Sequence, residues 1–194
     1  SRRQRQMCIR DSNMGCPVPK VVNNGEGSAL LKNPNLIEEI VRKVSSAISK
    51  PLTVKVRIGF ENEPVDIVEI AKRIEDAGAA ALAVHGRTRQ QYYSGTADWD
   101  TIRRVKEAIT IPVIGNGDVD SPLKAEALVK QTGCDAVMVG RAVRGNPWLF
   151  RELNHYFRTG ELLERPSVEE IREMILRHAR KQIELKGEFV GIRE

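Results

Sequence analysis

The sequence predicts an α/β fold in which parallel strands alternate with amphipathic helices. Short apolar runs that are typical of buried strands recur along the chain, and each is followed by Gly together with polar or charged residues. Between these runs lie longer segments whose apolar residues repeat with the helical period. This alternation indicates a parallel sheet with crossover helices and not an α+β fold with separate blocks. The predicted strands span residues 52–58, 80–84, 111–114 and 135–139.

The predicted helices have local start or stop signals. Asn33 can cap the first helix, and Gly78 and Gly133 stop two later ones. Ser167 and Glu170 form the pattern of a capping box in front of an amphipathic helix, and no strand follows it. The predicted helices begin near residues 33, 64, 98, 121 and 167.

The strand at 52–58 carries charged residues in alternation with apolar ones. Lys55 shares one face with Thr53 and Arg57, because successive side chains of a strand point to opposite faces. In a closed barrel Lys55 points inward, where a buried charge needs a partner. That partner is either a ligand or an ion pair in the barrel core.

The segment at 13–20, Asn-Met-Gly-Cys-Pro-Val-Pro-Lys, places the thiol of Cys16 between Gly15 and Pro17. Gly permits unusual backbone angles and Pro fixes its own, so we expect a stiff loop that can aim a side chain at a ligand. A buried structural thiol is the alternative, since free Cys is among the most buried residue types.

Composition limits the classes of protein that the chain can represent. A hydrophobic content of 41% and a charged content of 29% are typical of a soluble globular protein. No apolar run approaches the roughly 20 residues that span a bilayer, and no secretory signal is apparent, so we expect a cytoplasmic location. Three Cys residues without metal-ligand spacing argue against a disulfide framework or a metal site. The net charge of +5 is a mild indication of a polyanionic partner.

Five motifs, in their order along the chain, resemble the tRNA-dihydrouridine synthases, especially the bacterial B-type branch. They are Asn-Met-Gly-Cys-Pro at 13–17, Lys55, His-Gly-Arg-Thr-Arg at 85–89, Asn-Gly-Asp at 116–118 and Gly-Arg at 140–141. The resemblance implies the C-terminal part of a TIM (β/α)8 barrel at 13–155, an FMN-binding catalytic domain. It further implies the start of a C-terminal all-helical tRNA-binding domain at 156–194.

Residues 1–12 do not fit this organisation. They are basic and show neither a strand nor a helix period, and they resemble translated adapter sequence. We therefore expect a non-native segment in place of the strand that should precede the Cys16 loop; a basic RNA-binding arm is the alternative. With four strands counted after that loop, and eight in a whole barrel, the chain is expected to be a fragment.

The resemblance implies the chemistry of the site. In the family, NADPH reduces FMN, and the reduced flavin delivers a hydride to carbon 6 of a uracil flipped from tRNA. A Cys protonates carbon 5 from the opposite face, and the resemblance places this role on Cys16. Lys55 would stabilise negative charge on the reduced flavin.

The remaining motif residues receive cofactor or substrate roles from the same resemblance, with loop packing as the alternative for His85, Arg87 and Tyr92. His85 would hydrogen-bond flavin or uracil. Gly lets backbone amides approach a phosphate, and Arg can add a charge-assisted bond, which suits the two later motifs to the flavin phosphate. The expected cofactor-binding residues are Lys55, His85, Asn116, Gly117, Asp118, Gly140 and Arg141. The expected substrate- or tRNA-binding residues are Asn13, Lys20, Arg87, Arg89 and Tyr92.

Two other functions are compatible with parts of the sequence. One is an FMN barrel that reduces a free pyrimidine, as the dihydroorotate dehydrogenases do in the opposite direction. The other is a noncatalytic RNA-binding relic. The basic and aromatic loop at 87–93 argues against a small substrate, and the presence of both Cys16 and Lys55 argues against a relic. No metal and no stable protein partner are expected.

Overall fold

The computed structural model describes residues 9–61 and 65–193, and these residues contain a five-stranded parallel sheet. The strands lie in the order in which they occur along the chain, so each pairs with the strand that follows it. The strands are β1 (Arg10–Asn13), β2 (Leu52–Gly59), β3 (Ala81–Thr88), β4 (Val113–Asn116) and β5 (Ala136–Met138).

Helices connect the strands and continue after the last one. The helices of the described residues are α1 (Pro19–Val22), α2 (Pro34–Ala47), α3 (Ile67–Asp76), α4 (Trp99–Ala108), α5 (Pro122–Thr132), α6 (Leu149–Thr159), α7 (Val168–Lys186) and α8 (Glu188–Gly191). Short 3₁₀ turns lie at Gly27–Lys32 and Arg141–Val143. From α2 to α6 each helix packs against the next. No helix in the described ranges is long and apolar enough to cross a membrane.

The predicted capping signals are confirmed. The Asn33 side chain accepts a hydrogen bond from the Leu36 amide at 3.1 Å, and α2 begins there. Gly133 ends α5 with a φ of 68°, a left-handed conformation that Gly adopts without steric cost. Ser167 and Glu170 form both hydrogen bonds of the capping box. The predicted start of the next helix near residue 64 is about three residues too early: Pro64 itself lies outside the described residues, and α3 begins at Ile67, where the Asp66 side chain caps it by accepting from the amides of Val68 and Glu69.

The prediction that the strand before the Cys16 loop is lost is wrong. Arg10 to Asn13 form β1, which pairs with β2 from Leu52 to Lys55. Strand pairing requires backbone groups, not apolar side chains, so a polar edge strand leaves no apolar pattern in the sequence. Residues 1–8 lie outside the described residues, and the non-native origin of 1–12 stays a prediction.

One strand boundary differs from the prediction in a way that bears on the site. β3 was expected to end at Val84, but it continues to Thr88 because His85 pairs with Arg57 and Thr88 pairs with Gly59. A register irregularity in the partner strand lies between Arg57 and Gly59. The expected loop residues at 85–87 are therefore held by the sheet.

A single apolar core lies between the helices and one face of the sheet. Val54 and Val56 of β2 and Val84 of β3 are completely or almost completely buried in it. The opposite face carries the polar side chains, as the alternation along β2 predicts. The helical residues of the core include Ile37, Val41, Ile70, Ile74, Ile102, Val105 and Leu128.

The apolar residues predicted for α7 do not enter this core. No residue of α7 is buried, and Val168 and Ile175 are 83% and 62% exposed. α7 instead packs against α8.

Candidate active site

A cleft of about 840 Å³ opens over the carboxyl-terminal ends of the strands. In the sheet register, Asn13 lies beside Lys55, and His85 lies between Arg57 and Asn116. Residues in register on neighbouring parallel strands point to the same face, so these side chains converge. The predicted site residues that line the cleft are Asn13, Cys16, Lys55, His85, Arg87, Asn116, Gly117, Asp118, Gly140 and Arg141.

The loop that carries Cys16 is fixed on both sides of that residue. The Met14 amide donates to the Lys55 carbonyl at 2.8 Å, and the Gly15 amide donates to the Asn13 side chain at 3.1 Å. After the thiol, the Cys16 carbonyl accepts from the amide and the hydroxyl of Ser28, at 3.0 and 2.9 Å. Cys16 is half-buried at the cleft wall, whereas Cys134 is buried in the core. The stiff loop predicted from the sequence is therefore present.

Lys55 reaches the cleft without an ion-pair partner. Among the described residues, no carboxylate lies within 4.0 Å of its ammonium group, so the alternative of a core ion pair finds no support there. Burial, reinforced by the positive charge of Arg57, lowers the pKa of Lys55 to about 8. A half-buried cation with no internal partner favours an anionic ligand.

His85 is held as a neutral imidazole. Burial lowers its pKa to about 3, and the nearby charges of Arg57, Lys55 and Arg87 act in the same direction. Asp118 opposes this shift but does not cancel it. A neutral imidazole can donate one hydrogen bond and accept another, which suits polar contact with a ring system.

Asp118 and Arg87 form an ion pair at the floor of the cleft. The two guanidinium NH groups of Arg87 lie 2.7 and 2.8 Å from the carboxylate oxygens, and Arg87 is only 1% exposed. The Ala97 amide donates to the same carboxylate at 2.7 Å. Burial would raise the pKa of Asp118, but the hydrogen bonds from Arg87 and Ala97 and the charge of Arg141 hold it below its usual value.

Arg87 also forms hydrogen bonds to the backbone of a neighbouring loop. Its guanidinium donates to the carbonyls of Ser94 and Gly95, at 3.1 and 2.5 Å. These contacts favour the loop-packing alternative for Arg87, and its contact with a substrate stays a prediction.

Three predicted substrate residues do not line the cleft. Lys20 is exposed on α1, Arg89 lies 5.4 Å from the centre of the Phe60 ring, and Tyr92 is 41% exposed. Tyr93 lines the cleft instead, and the Arg141 guanidinium lies 4.5 Å from its ring centre. Tyr92 adopts a φ of 53°, which is uncommon for a residue other than Gly, and no feature of the sequence indicates it.

Arg57 is a site residue to which the sequence analysis assigned no role. It is 2% exposed and donates to the carbonyls of Gly15, Thr88 and Tyr92 at 3.0, 2.9 and 3.0 Å. The alternation along β2 placed Arg57 on the same face as Lys55, and that was the available signal.

The cleft has more positive than negative side chains. Five Lys or Arg residues line it against two Asp residues, which form ion pairs with Arg87 and Lys124. A Cβ at Gly117 would lie 2.5 Å from the Cβ of Ala97, and one at Gly140 would meet open space. A basic cleft with exposed backbone at Gly140 suits a ligand that carries phosphate. No cluster of metal-ligating side chains occurs in the part of the chain that the structure describes.

A family model described as dihydrouridine synthase (Dus) matches residues 4–194, and the chain belongs to this family. It is 49% identical over 185 residues to tRNA-dihydrouridine synthase B of Shewanella oneidensis, covering 95% of this chain and 58% of that protein. The proteins of the same name from Pseudomonas putida and Pseudomonas aeruginosa are each 46% identical over 95% of this chain, with 55% and 56% of their lengths covered. The chain thus spans little more than half the length of these relatives.

Proposed function

We propose that the parent protein reduces uridine in tRNA to 5,6-dihydrouridine, with FMN as its flavin and NADPH as the reductant. The observation that carries the proposal is the convergence of the Cys16 thiol and the half-buried Lys55 ammonium on one basic cleft. Family membership and the names of the relatives support the same chemistry. A cytoplasmic location follows from a tRNA substrate.

The residues of the cleft fit a flavin nucleotide. Lys55 supplies a positive charge at a half-buried position, and no carboxylate of the described residues pairs with it, which leaves that charge for the ligand. Neutral His85 can hydrogen-bond a ring heteroatom without adding charge. Gly117, Gly140 and Arg141 would hold the phosphate at the far side of the cleft. When bound, the reduced flavin supplies the hydride for carbon 6 of the uracil.

Cys16 supplies the proton that completes the reduction. A hydride added at carbon 6 leaves carbanion character at carbon 5, and transfer of the thiol proton to carbon 5 saturates the double bond. The loop holds the backbone of Cys16 by hydrogen bonds on both sides, so the thiol needs little reorganisation to reach the base. Solvent can then return a proton to the thiolate.

We also propose that 13–155 is the C-terminal part of a TIM barrel. The sheet keeps its strands in chain order, and from α2 to α6 each helix packs against its successor, as in a barrel. A doubly wound fold would show a reversal of strand order. The exposed apolar residues of α7 support the start of a helical tRNA-binding domain at 156–194.

The proposed tRNA contacts fall into two groups, one inside the cleft and one outside it. Asn13 lines the cleft and is placed to contact the reacting base, and Tyr93 offers an aromatic wall. Lys20, Arg89 and Tyr92 lie outside the cleft, so their proposed contacts are with RNA away from that base. The net charge of +5 supports a polyanionic substrate.

The test uses the purified full-length parent. We expect bound FMN, NADPH oxidation, and dihydrouridine in unmodified tRNA but not turnover of free uracil or orotate. Turnover of a free pyrimidine with no effect on tRNA would support the small-substrate alternative. Tight tRNA binding without flavin would support the noncatalytic alternative.

A further inference from the structure

Arg57 is a buried cation at the base of the cleft that has no carboxylate partner among the described residues. Within residues 9–61 and 65–193 no ion pair of 4.0 Å or less involves Arg57, although it is 2% exposed. Its donors go to backbone carbonyls of two segments that are far apart in sequence. A guanidinium presents several donors in a fixed plane, so one side chain can hold two segments at a set distance.

The first segment is the Cys16 loop. The Nε–H of Arg57 donates to the Gly15 carbonyl at 3.0 Å, and that carbonyl belongs to the peptide that leads directly into Cys16. The peptide that follows Cys16 is held by Ser28. Arg57 therefore fixes one of the two peptide planes from which the thiol projects.

The second segment is the turn at 88–92. One guanidinium NH₂ group of Arg57 donates to the carbonyls of Thr88 and Tyr92, at 2.9 and 3.0 Å, and so closes the turn. The Tyr92 carbonyl belongs to the peptide that leads directly into Tyr93, the aromatic wall of the cleft. The turn contains Tyr92 at a φ of 53°, a conformation that costs free energy and persists when neighbouring contacts hold it.

We propose that Arg57 is a positioning residue that sets the thiol of Cys16 against the ring of Tyr93. It holds the carbonyl directly before each of these residues, so one side chain links the two cleft walls. Its role is geometric: the number and direction of its donors matter, and a positive charge alone does not replace them. The kinetic consequence rests on the proposed function, whereas the structural consequence does not.

The structural test is hydrogen exchange of the full-length parent with Arg57→Met and Arg57→Lys. We expect amide exchange to become faster by about tenfold or more in both 14–17 and 89–95, with the core strands unchanged. Arg57→Lys keeps the positive charge but loses the planar arrangement of several N–H donors, so it should behave like Arg57→Met. Arg103→Met, which removes an exposed Arg of α4, is the control and should change neither segment. Faster exchange in one segment or in neither, or full protection in Arg57→Lys, would overturn the inference.

The kinetic test measures oxidation of prereduced flavin by unmodified tRNA in the same variants. A misplacement of about 1 Å can cost about 10²-fold, so we expect the rate constant at saturating tRNA to fall by about 10- to 100-fold. The Kd for tRNA should stay within about threefold of its original value, a change of under 1 kcal/mol. A raised Kd with an unchanged rate constant would mean that Arg57 contacts the substrate instead. If the unaltered parent shows no tRNA-driven oxidation, the proposed function fails, and hydrogen exchange still decides the role of Arg57.

Discussion

Asp118→Asn in the flavin-free parent should destabilise the fold through Arg87. The substitution removes the negative charge that faces the 1%-exposed Arg87 guanidinium. Asn is among the residues that best tolerate the φ of 58° found at position 118, so the backbone should adapt without added strain. The buried Arg87 charge would then have only the carbonyls of Ser94 and Gly95 and a neutral amide oxygen.

The magnitude follows from the burial of the pair. Removing one partner of a fully buried ion pair costs about 3–5 kcal/mol, because the other charge remains desolvated. The Asp118 side chain is 26% exposed, and Asn can still accept one hydrogen bond, so we expect a loss of about 2–4 kcal/mol in the free energy of unfolding.

Urea unfolding followed by circular dichroism measures the loss. Asp120→Asn is the matched control. Asp120 lies two residues after Asp118 in the chain, and its carboxylate forms an exposed ion pair with Lys124 of α5. That control should lose less than about 0.5 kcal/mol. The double variant Arg87→Met/Asp118→Asn should recover part of the loss, because no uncompensated charge remains. Equal effects at 118 and 120 would refute the account of the Arg87 ion pair.

Three further expectations concern Lys55 and Cys16 in the parent. Lys55→Ala should weaken FMN binding, measured by fluorescence titration; unchanged affinity would assign Lys55 a structural role. In the unaltered parent the Kd for FMN should rise with pH, because the charge of Lys55 is present below its pKa of about 8 and lost above it. The Kd should rise about tenfold by pH 9, as the titration of one group predicts. A Kd that does not change with pH would exclude the Lys55 charge from FMN binding. Cys16→Ala should leave NADPH reduction of the flavin intact while dihydrouridine formation falls by about 10²–10⁴-fold, and intact formation would exclude the thiol as the acid.

The parts of the fold that local sequence determines were predicted well. Helix caps form contacts within a few residues, so the sequence predicts them directly. The confirmed examples are Asn33, Gly133 and the pair Ser167 and Glu170. The alternation along β2 likewise placed Lys55 on the face that becomes the cleft. Ten of the predicted site residues line that cleft because they lie within neighbouring strands or shortly after them.

The parts that depend on distant partners were not predicted. β1 is polar and exists through backbone pairing with a strand about 40 residues further along, so no period reveals it. The contacts of Arg57 reach 31 to 42 residues along the chain, which no local pattern encodes. Tyr93 lines the cleft and Tyr92 does not, and Tyr92 adopts a φ that Tyr rarely adopts; neither fact follows from the local sequence.

The central claim is that this cleft uses reduced flavin and the Cys16 thiol to saturate a uridine in tRNA. The most direct test is rapid mixing of the prereduced full-length parent with tRNA that lacks dihydrouridine, alongside tRNA already modified. The account predicts flavin oxidation with the first tRNA, one dihydrouridine formed for each flavin oxidised, and no oxidation above background with the second. Oxidation that is equally fast with both tRNAs, or absent with the first while flavin is bound, would contradict it.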